Sequence, residues 1–254
     1  MKNTPMILVA QTNLRKSAVF RTPEEVLSKA VDLTERLARL HPLMRRWYAL
    51  PSRRKEACIA LEDSAAMLYR MERDIQKTRR RCGGFDGFGA SLTLANVDND
   101  RDWREPGVVV LSLRPSLGVH TLSIEGLEPF GEDISSIMLG AMIELVKVIQ
   151  PDFACTDVKA RSPESGLTYY QIHRRQYKHR EFLGWMGYVP ARVDQTQLPD
   201  AHAVHAVDGL GTVIVSVPGV FDPCDDTQVE RVHRVERDLA SRDLLPVTDP
   251  HFKG

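Results

Sequence analysis

The stretch from Ile134 to Gln150, ISSIMLGAMIELVKVIQ, constrains the fold more than any other part of the chain. Ile134, Ile137, Met138, Ala141, Leu145, Val148 and Ile149 recur at helical spacing, and Leu139, Ile143 and Val146 make the helix apolar on most sides. A helix hydrophobic nearly all round has to be sandwiched in the interior. The rest of the chain must therefore supply layers that cover it. Glu132-Asp133 precede this helix, where acidic groups suit the helix dipole, and Pro151 stops it.

The covering elements can be read from period and punctuation. Residues 6–14 read as a first strand. Thr22-Pro23-Glu24-Glu25 opens a helix over 23–41, with Thr22 as cap, Pro23 at the first position and Glu25 completing a capping box. Val26, Ala30, Leu33, Leu37 and Leu40 form its inner stripe. Residues 43–49 add a short helical turn, and Glu62 to Arg80 reads as a second helix with heavy basic decoration. Ala90 to Val97, Gly107 to Leu113 and Val119 to Ile124 are β-branched runs separated by polar breaks, the pattern of an antiparallel meander. Further strands are expected at 153–158, 184–189, 202–207 and 212–217, with Asp208-Gly209 as a turn between the last two. Thr227 is expected to cap a final helix over 227–242, with Glu230 completing a capping box, and Val229, Val232, Val235 and Leu239 give its inner stripe. Residues 161–182 read as irregular and basic. The fold class is α+β, a mainly antiparallel sheet covered by three or four helices. The 254 residues fit a single domain, with two packed halves at about 1–130 and 131–254 as its internal division.

Charges balance at 34 basic and 34 acidic residues, so no overall attraction to nucleic acid or anionic membrane is expected. Their distribution is uneven. Leu43 to Arg81 carries 11 Lys/Arg against 5 Asp/Glu, and Thr121 to Val158 carries 1 against 7. Two opposed regions of this kind can present a polar face to a charged partner. Cys58, Cys82, Cys155 and Cys224 are scattered without a CxxC, the usage of a reducing compartment. The N-terminus has a five-residue apolar run, too short for a signal-peptide core, and no segment approaches a transmembrane span. A cytoplasmic protein is the expectation.

The motifs of common catalytic sites are missing: no GxSxG, HExxH, GxGxxG or P-loop occurs. Cys82-Gly83-Gly84-Phe85-Asp86-Gly87-Phe88-Gly89 is a turn-rich connector with no Gly-Lys-Ser/Thr after it. Asp98, Asp100 and Asp102 lack the glycine and distant glutamate of a calcium loop. His202 and His205 are an odd number apart in a strand and so point to opposite faces. Pro151-Asp152 and Asp157-Val158-Lys159 spell a metal-dependent nuclease pattern. Yet five residues along one strand place the two carboxylates on opposite faces, not converging on an ion. The expectation is a protein without catalytic activity, metal or cofactor. A nuclease using Asp152, Asp157 and Lys159 is the rival reading, and a nucleic-acid-binding module using the basic, aromatic segment 161–181 is a third.

Four stretches, HPLMRRWYALPSRRKEAC (41–58), FGASLTLANV (88–97), FLGWMGYVP (182–190) and GTVIVSVPGVFDP with the helix after it (211–245), resemble in order and spacing the immunity protein 52 family of bacterial toxin systems. The resemblance implies a cytoplasmic antidote to a polymorphic toxin, often one with a restriction-endonuclease-like toxin domain delivered by type VI secretion. It implies a toxin protein as partner, with no membrane and no direct nucleic acid, and it transfers no catalytic residue.

A nuclease groove is basic because it holds phosphates, so an inhibitor should offer carboxylates. Glu125, Glu128, Glu132 and Asp133 are the first candidates, and Asp98, Asp100 and Asp102 the second. The third are Tyr169, Tyr170, Arg174, Arg175 and Tyr177, since Tyr and Arg dominate binding hot spots.

Overall fold

The computed structural model describes residues 8–15, 22–51, 56–83, 89–99, 101–162 and 166–251. Along the chain the elements are β1 (Leu8–Arg15), α1 (Pro23–Leu37), β2 (Tyr48–Ala49), β3 (Ile59–Ala60), α2 (Ser64–Arg81), β4 (Leu92–Ala95), β5 (Val108–Arg114), β6 (Val119–Glu125), α3 (Ile134–Ile149), β7 (Phe153–Ser162), β8 (Gly166–Tyr169), β9 (Met186–Val189), β10 (Ala203–Val207), β11 (Gly211–Val215) and α4 (Asp226–Ser241). All eleven strands join one sheet in the order β10-β11-β9-β7-β1-β6-β5-β4-β2-β3, with β8 added beside β7. Every ladder between these strands is antiparallel. This is the α+β fold expected from the sequence, with four α-helices among the described residues.

Strand alternation decides how the layers stack. Leu94, Leu111, Leu122 and Val158 lie on one face and are all buried. On this face α1 and α3 pack together. Lys29 Nζ donates to the Val148 carbonyl at 3.2 Å, Arg36 reaches Glu144, and Gly140 leaves room for Leu40. The other face carries Asn13, Cys155 and Asp157. Around β7 and β9 it is covered by residues 170–184 and α4: the Gln171 N–H donates to Asp157, and Glu236 of α4 accepts the N–H groups of Leu183 and Gly184. Over β4, β5 and β6 the same face stays half-open, with Thr93, Val110, Thr121 and Ser123 partly exposed. One half of the molecule therefore has three layers and the other two.

The capping box of α1 is present, Thr22 Oγ1 accepting the Glu25 N–H at 3.2 Å and the Glu25 carboxylate accepting the Thr22 N–H at 3.0 Å. The start of α4 corrects the sequence reading. Its cap is Asp225, not Thr227: the Asp225 carboxylate accepts the N–H of Thr227 at 2.8 Å and of Gln228 at 3.3 Å. A carboxylate two residues ahead of the threonine wins because it can accept both donors at once. Glu230 instead meets Arg237 at 2.9 Å. The irregular reading of 161–182 also gives way. Gly166–Tyr169 is strand β8, and Tyr170–Arg174 is a single π-helical turn.

Candidate functional site

Strand register gathers the candidates. Glu125, the last residue of β6, opposes Val108 of β5 and position 9 of β1; position 9 opposes Lys159 of β7, and Lys159 opposes Tyr169 of β8. Cross-strand partners share a face, so Glu125, Lys159 and Tyr169 stand in one row at one end of the sheet. With strands about 4.8 Å apart, Glu125 and Lys159 are separated by about 10 Å. The row lies on the same face as Cys155 and Asp157.

The loops at this end continue the row. The Gly107 N–H donates to the Glu125 carbonyl at 2.7 Å, Gly126 packs on Pro106, and Gly107 packs on Leu43 and Pro129. Gly126, at φ 66°, has to be glycine, because a Cβ there would meet Pro106 at 2.6 Å. Asn96 ties the β4 end to this corner, its side chain donating to the Gly107 carbonyl at 2.9 Å and to that of Leu43 at 3.1 Å. The next turn is organised by Asn99. Its Oδ1 accepts the N–H of Arg101 and Asp102, and its Nδ2 donates to the carboxylates of Asp98 and Asp102 at 2.8 and 2.9 Å. Asp98 and Asp102 thereby shape the turn while remaining exposed. The turn presents Trp103, 36% exposed, to solvent. Beside it opens a cleft of about 630 Å³, lined by Tyr48, Leu50, Cys58, Asp98, Asn99 and Trp103 among others.

The structure thus spreads Glu125, Glu128, Asp98, Asp102 and Tyr169, from all three candidate groups, along one end of the sheet, with five strand steps between β8 and β4. Glu132 and Asp133 are exposed at the foot of α3, and Asp133 makes no capping hydrogen bond with its side chain. Asp100 lies outside the described residues. Tyr170 is a correction. Its side chain is fully buried, in ring contact with Phe182, Phe221 and His233, so it belongs to the core and not to a surface. Desolvation and then the charge of Glu236 push its phenol well above the usual range. Arg174 is committed to Asp226, and its carbonyl meets His233 Nε2 at 2.7 Å. Arg175 and Tyr177 are half-buried on the α4 side. Sequence reasoning missed Trp103 and Leu43 as apolar points in this end. A tryptophan inside the polar run DNDRDWREPG was the available signal.

The residues of the nuclease pattern do not converge on one site. Asp157 is 3% exposed and accepts the Gln171 N–H at 3.1 Å; burial raises its carboxyl, opposed by that hydrogen bond and by Lys159. Lys159 sits over the Tyr169 ring, 5.2 Å from its centre. Asp152 is exposed at the foot of β7, about 16 Å away along the strand at 3.3 Å per residue. Among the described residues no group of three or more His, Cys, Asp or Glu is placed to hold a metal ion. In the basic segment, Arg174 is ion-paired and Arg180 donates to the Leu245 carbonyl at 2.8 Å. No helix among the described residues is long and apolar enough to cross a membrane.

No family model matches the chain, and no curated protein matches it in sequence. Among solved structures it is similar to the Pseudomonas aeruginosa T6SS protein PA0821, with a TM-score of 0.52 at 14% identity, over 92% of this chain and 76% of that one. At that identity the likeness is one of fold.

Proposed function

We propose that the chain is an immunity protein that binds a cognate bacterial toxin, a nuclease-type effector of type VI secretion, and neutralises it by covering its active site or substrate groove. The observation that carries this reading is the row at one end of the sheet. Exposed Asp98 and Asp102 share a turn with an exposed tryptophan beside a cleft, with Arg101 and Arg104 exposed in the same turn, and exposed Glu125 and Glu128 stand at the same end of the sheet. An aromatic anchor with exposed carboxylates at the same end of the sheet is chemistry that fits a basic, phosphate-binding groove. The shared fold with a T6SS protein supports the same setting. In this reading the protein turns over no substrate and recruits no metal or cofactor; its partner is the toxin.

Co-expression with the toxin encoded beside it tests the proposal. Cells making both proteins survive, the two co-purify, and the isolated chain with magnesium leaves DNA and RNA intact. Death of the co-expressing cells, or nucleic acid degraded by the isolated chain, overturns it.

A further inference from the structure

The two edges of the sheet are built differently. β3 closes one edge with two residues, and brevity is a common protection of an edge strand. β10 closes the other with five residues, Ala203-Val204-His205-Ala206-Val207, and among the described residues no strand pairs with its outer side. It contains no proline, lysine or glutamate, the devices that usually blunt an edge. Alternate backbone N–H and C=O groups of such a strand point outward and are a template for another strand.

We infer that β10 is a self-pairing edge, through which two copies of the chain join antiparallel about a two-fold axis at His205. The sequence of the strand is complementary to itself in this register. His205 meets its own copy, Val204 opposes Ala206 and Ala203 opposes Val207; just outside the strand, the bend residue His202, whose N–H donates inward to the Val215 carbonyl at 2.8 Å, comes next to the turn residue Asp208 of the copy at both ends. An imidazole opposite a carboxylate is a favourable cross-strand pair, and it occurs twice in a symmetric dimer. Both groups are available for it. His202 and Asp208 are exposed, and neither side chain has a hydrogen bond or ion pair among the described residues. Paired residues in an antiparallel ladder lie about 5 Å apart at Cα, within reach of these side chains. The apolar remainder, small and β-branched, suits close packing across the axis. A second copy is the occupant that this symmetry selects.

The dimer leaves the acidic row free. In the sheet order β10 lies beyond β11, β9 and β7, at the opposite edge from the cleft beside β2 and β3. Dimerisation and partner binding are therefore separable.

Sedimentation or light scattering of the full chain over a range of concentration is the test. The wild type moves from monomer to dimer mass as concentration rises. Ala206→Lys, at an exposed position, puts a charge against Val204 of the second copy; it stays monomeric with an unchanged melting temperature and still co-purifies with the toxin. His202→Asp opposes two carboxylates and weakens the dimer about tenfold, and the double variant His202→Asp, Asp208→His restores it. Three results overturn the inference: a monomer at every concentration, an Ala206→Lys dimer as strong as the wild type, or an Ala206→Lys monomer that no longer holds the toxin, which assigns the edge to the toxin.

Discussion

Glu236 sits in the inner stripe of α4, four residues after Val232 and three before Leu239, and its side chain is fully buried. One carboxylate oxygen accepts the N–H groups of Leu183 and Gly184 at 2.8 and 3.2 Å; the other has no hydrogen-bond partner, and the Tyr170 hydroxyl lies beside it without reaching hydrogen-bond geometry. Burial raises the carboxyl from the ordinary 4.5 to about 7, against the pull of those two N–H groups. The folded state thus holds this proton more tightly than the unfolded state. Its contribution to stability is whole below the ordinary value and is lost as pH rises through about 7. Glu236→Gln keeps an oxygen for both N–H groups and offers an N–H₂ toward Tyr170. It should match the wild type near about pH 4 and exceed it by roughly 1–3 kcal/mol above about pH 8, read from denaturation midpoints at the two pH values. The inner stripe read from the sequence, Val229, Val232, Val235 and Leu239, did not include this glutamate. What the period does not reveal is that the backbone ahead of β9 arrives at the same spot from 53 and 52 residues away.

Elements with a strong local code were legible. The helices expected at 23–41, 134–150 and 227–242 appear as Pro23–Leu37, Ile134–Ile149 and Asp226–Ser241, and the three-strand meander appears as β4, β5 and β6. Elements made by tertiary pairing were not. β2 and β3 are two residues each, too short for any period, and the order of the strands depends on which edges meet after collapse. The bend that carries residues 182–185 alongside β7 is such an element. Gly184 has φ 69°, and a Cβ there would run into the Thr156 carbonyl oxygen, which is itself hydrogen-bonded to the Trp185 N–H. Gly209, in the β10–β11 turn, has φ 71° but open space around it. Gly209→Ala should cost about 1 kcal/mol, the ordinary penalty of a left-handed backbone. Gly184→Ala adds a backbone collision to that penalty and should cost about 3 kcal/mol or more, as the difference in urea midpoint between the two variants.

On the scale of the whole molecule, the placement of the candidates follows from register and could not be read from their spacing. Asp98, Glu125 and Tyr169 are far apart in sequence, yet the ends of β4, β6 and β8 bring them to one end of the sheet. The remaining candidates went elsewhere for packing reasons, Tyr170 into the core beneath α4 and Arg174 onto Asp226. The arrangement separates two contributions to partner binding. Exposed carboxylates act at a distance, so Glu125→Lys with Glu128→Lys should slow association, flatten its salt dependence and weaken the complex about 10- to 100-fold. Trp103 acts by contact, so Trp103→Ala should speed dissociation, with a loss of about 30-fold that salt leaves unchanged. All three side chains are exposed or at the border of exposure, and neither variant should shift the melting temperature measurably. Surface plasmon resonance at two ionic strengths resolves the two signatures. If both variants bind the toxin with wild-type rates, the acidic end is a solvated surface and the contact lies on another face of the molecule.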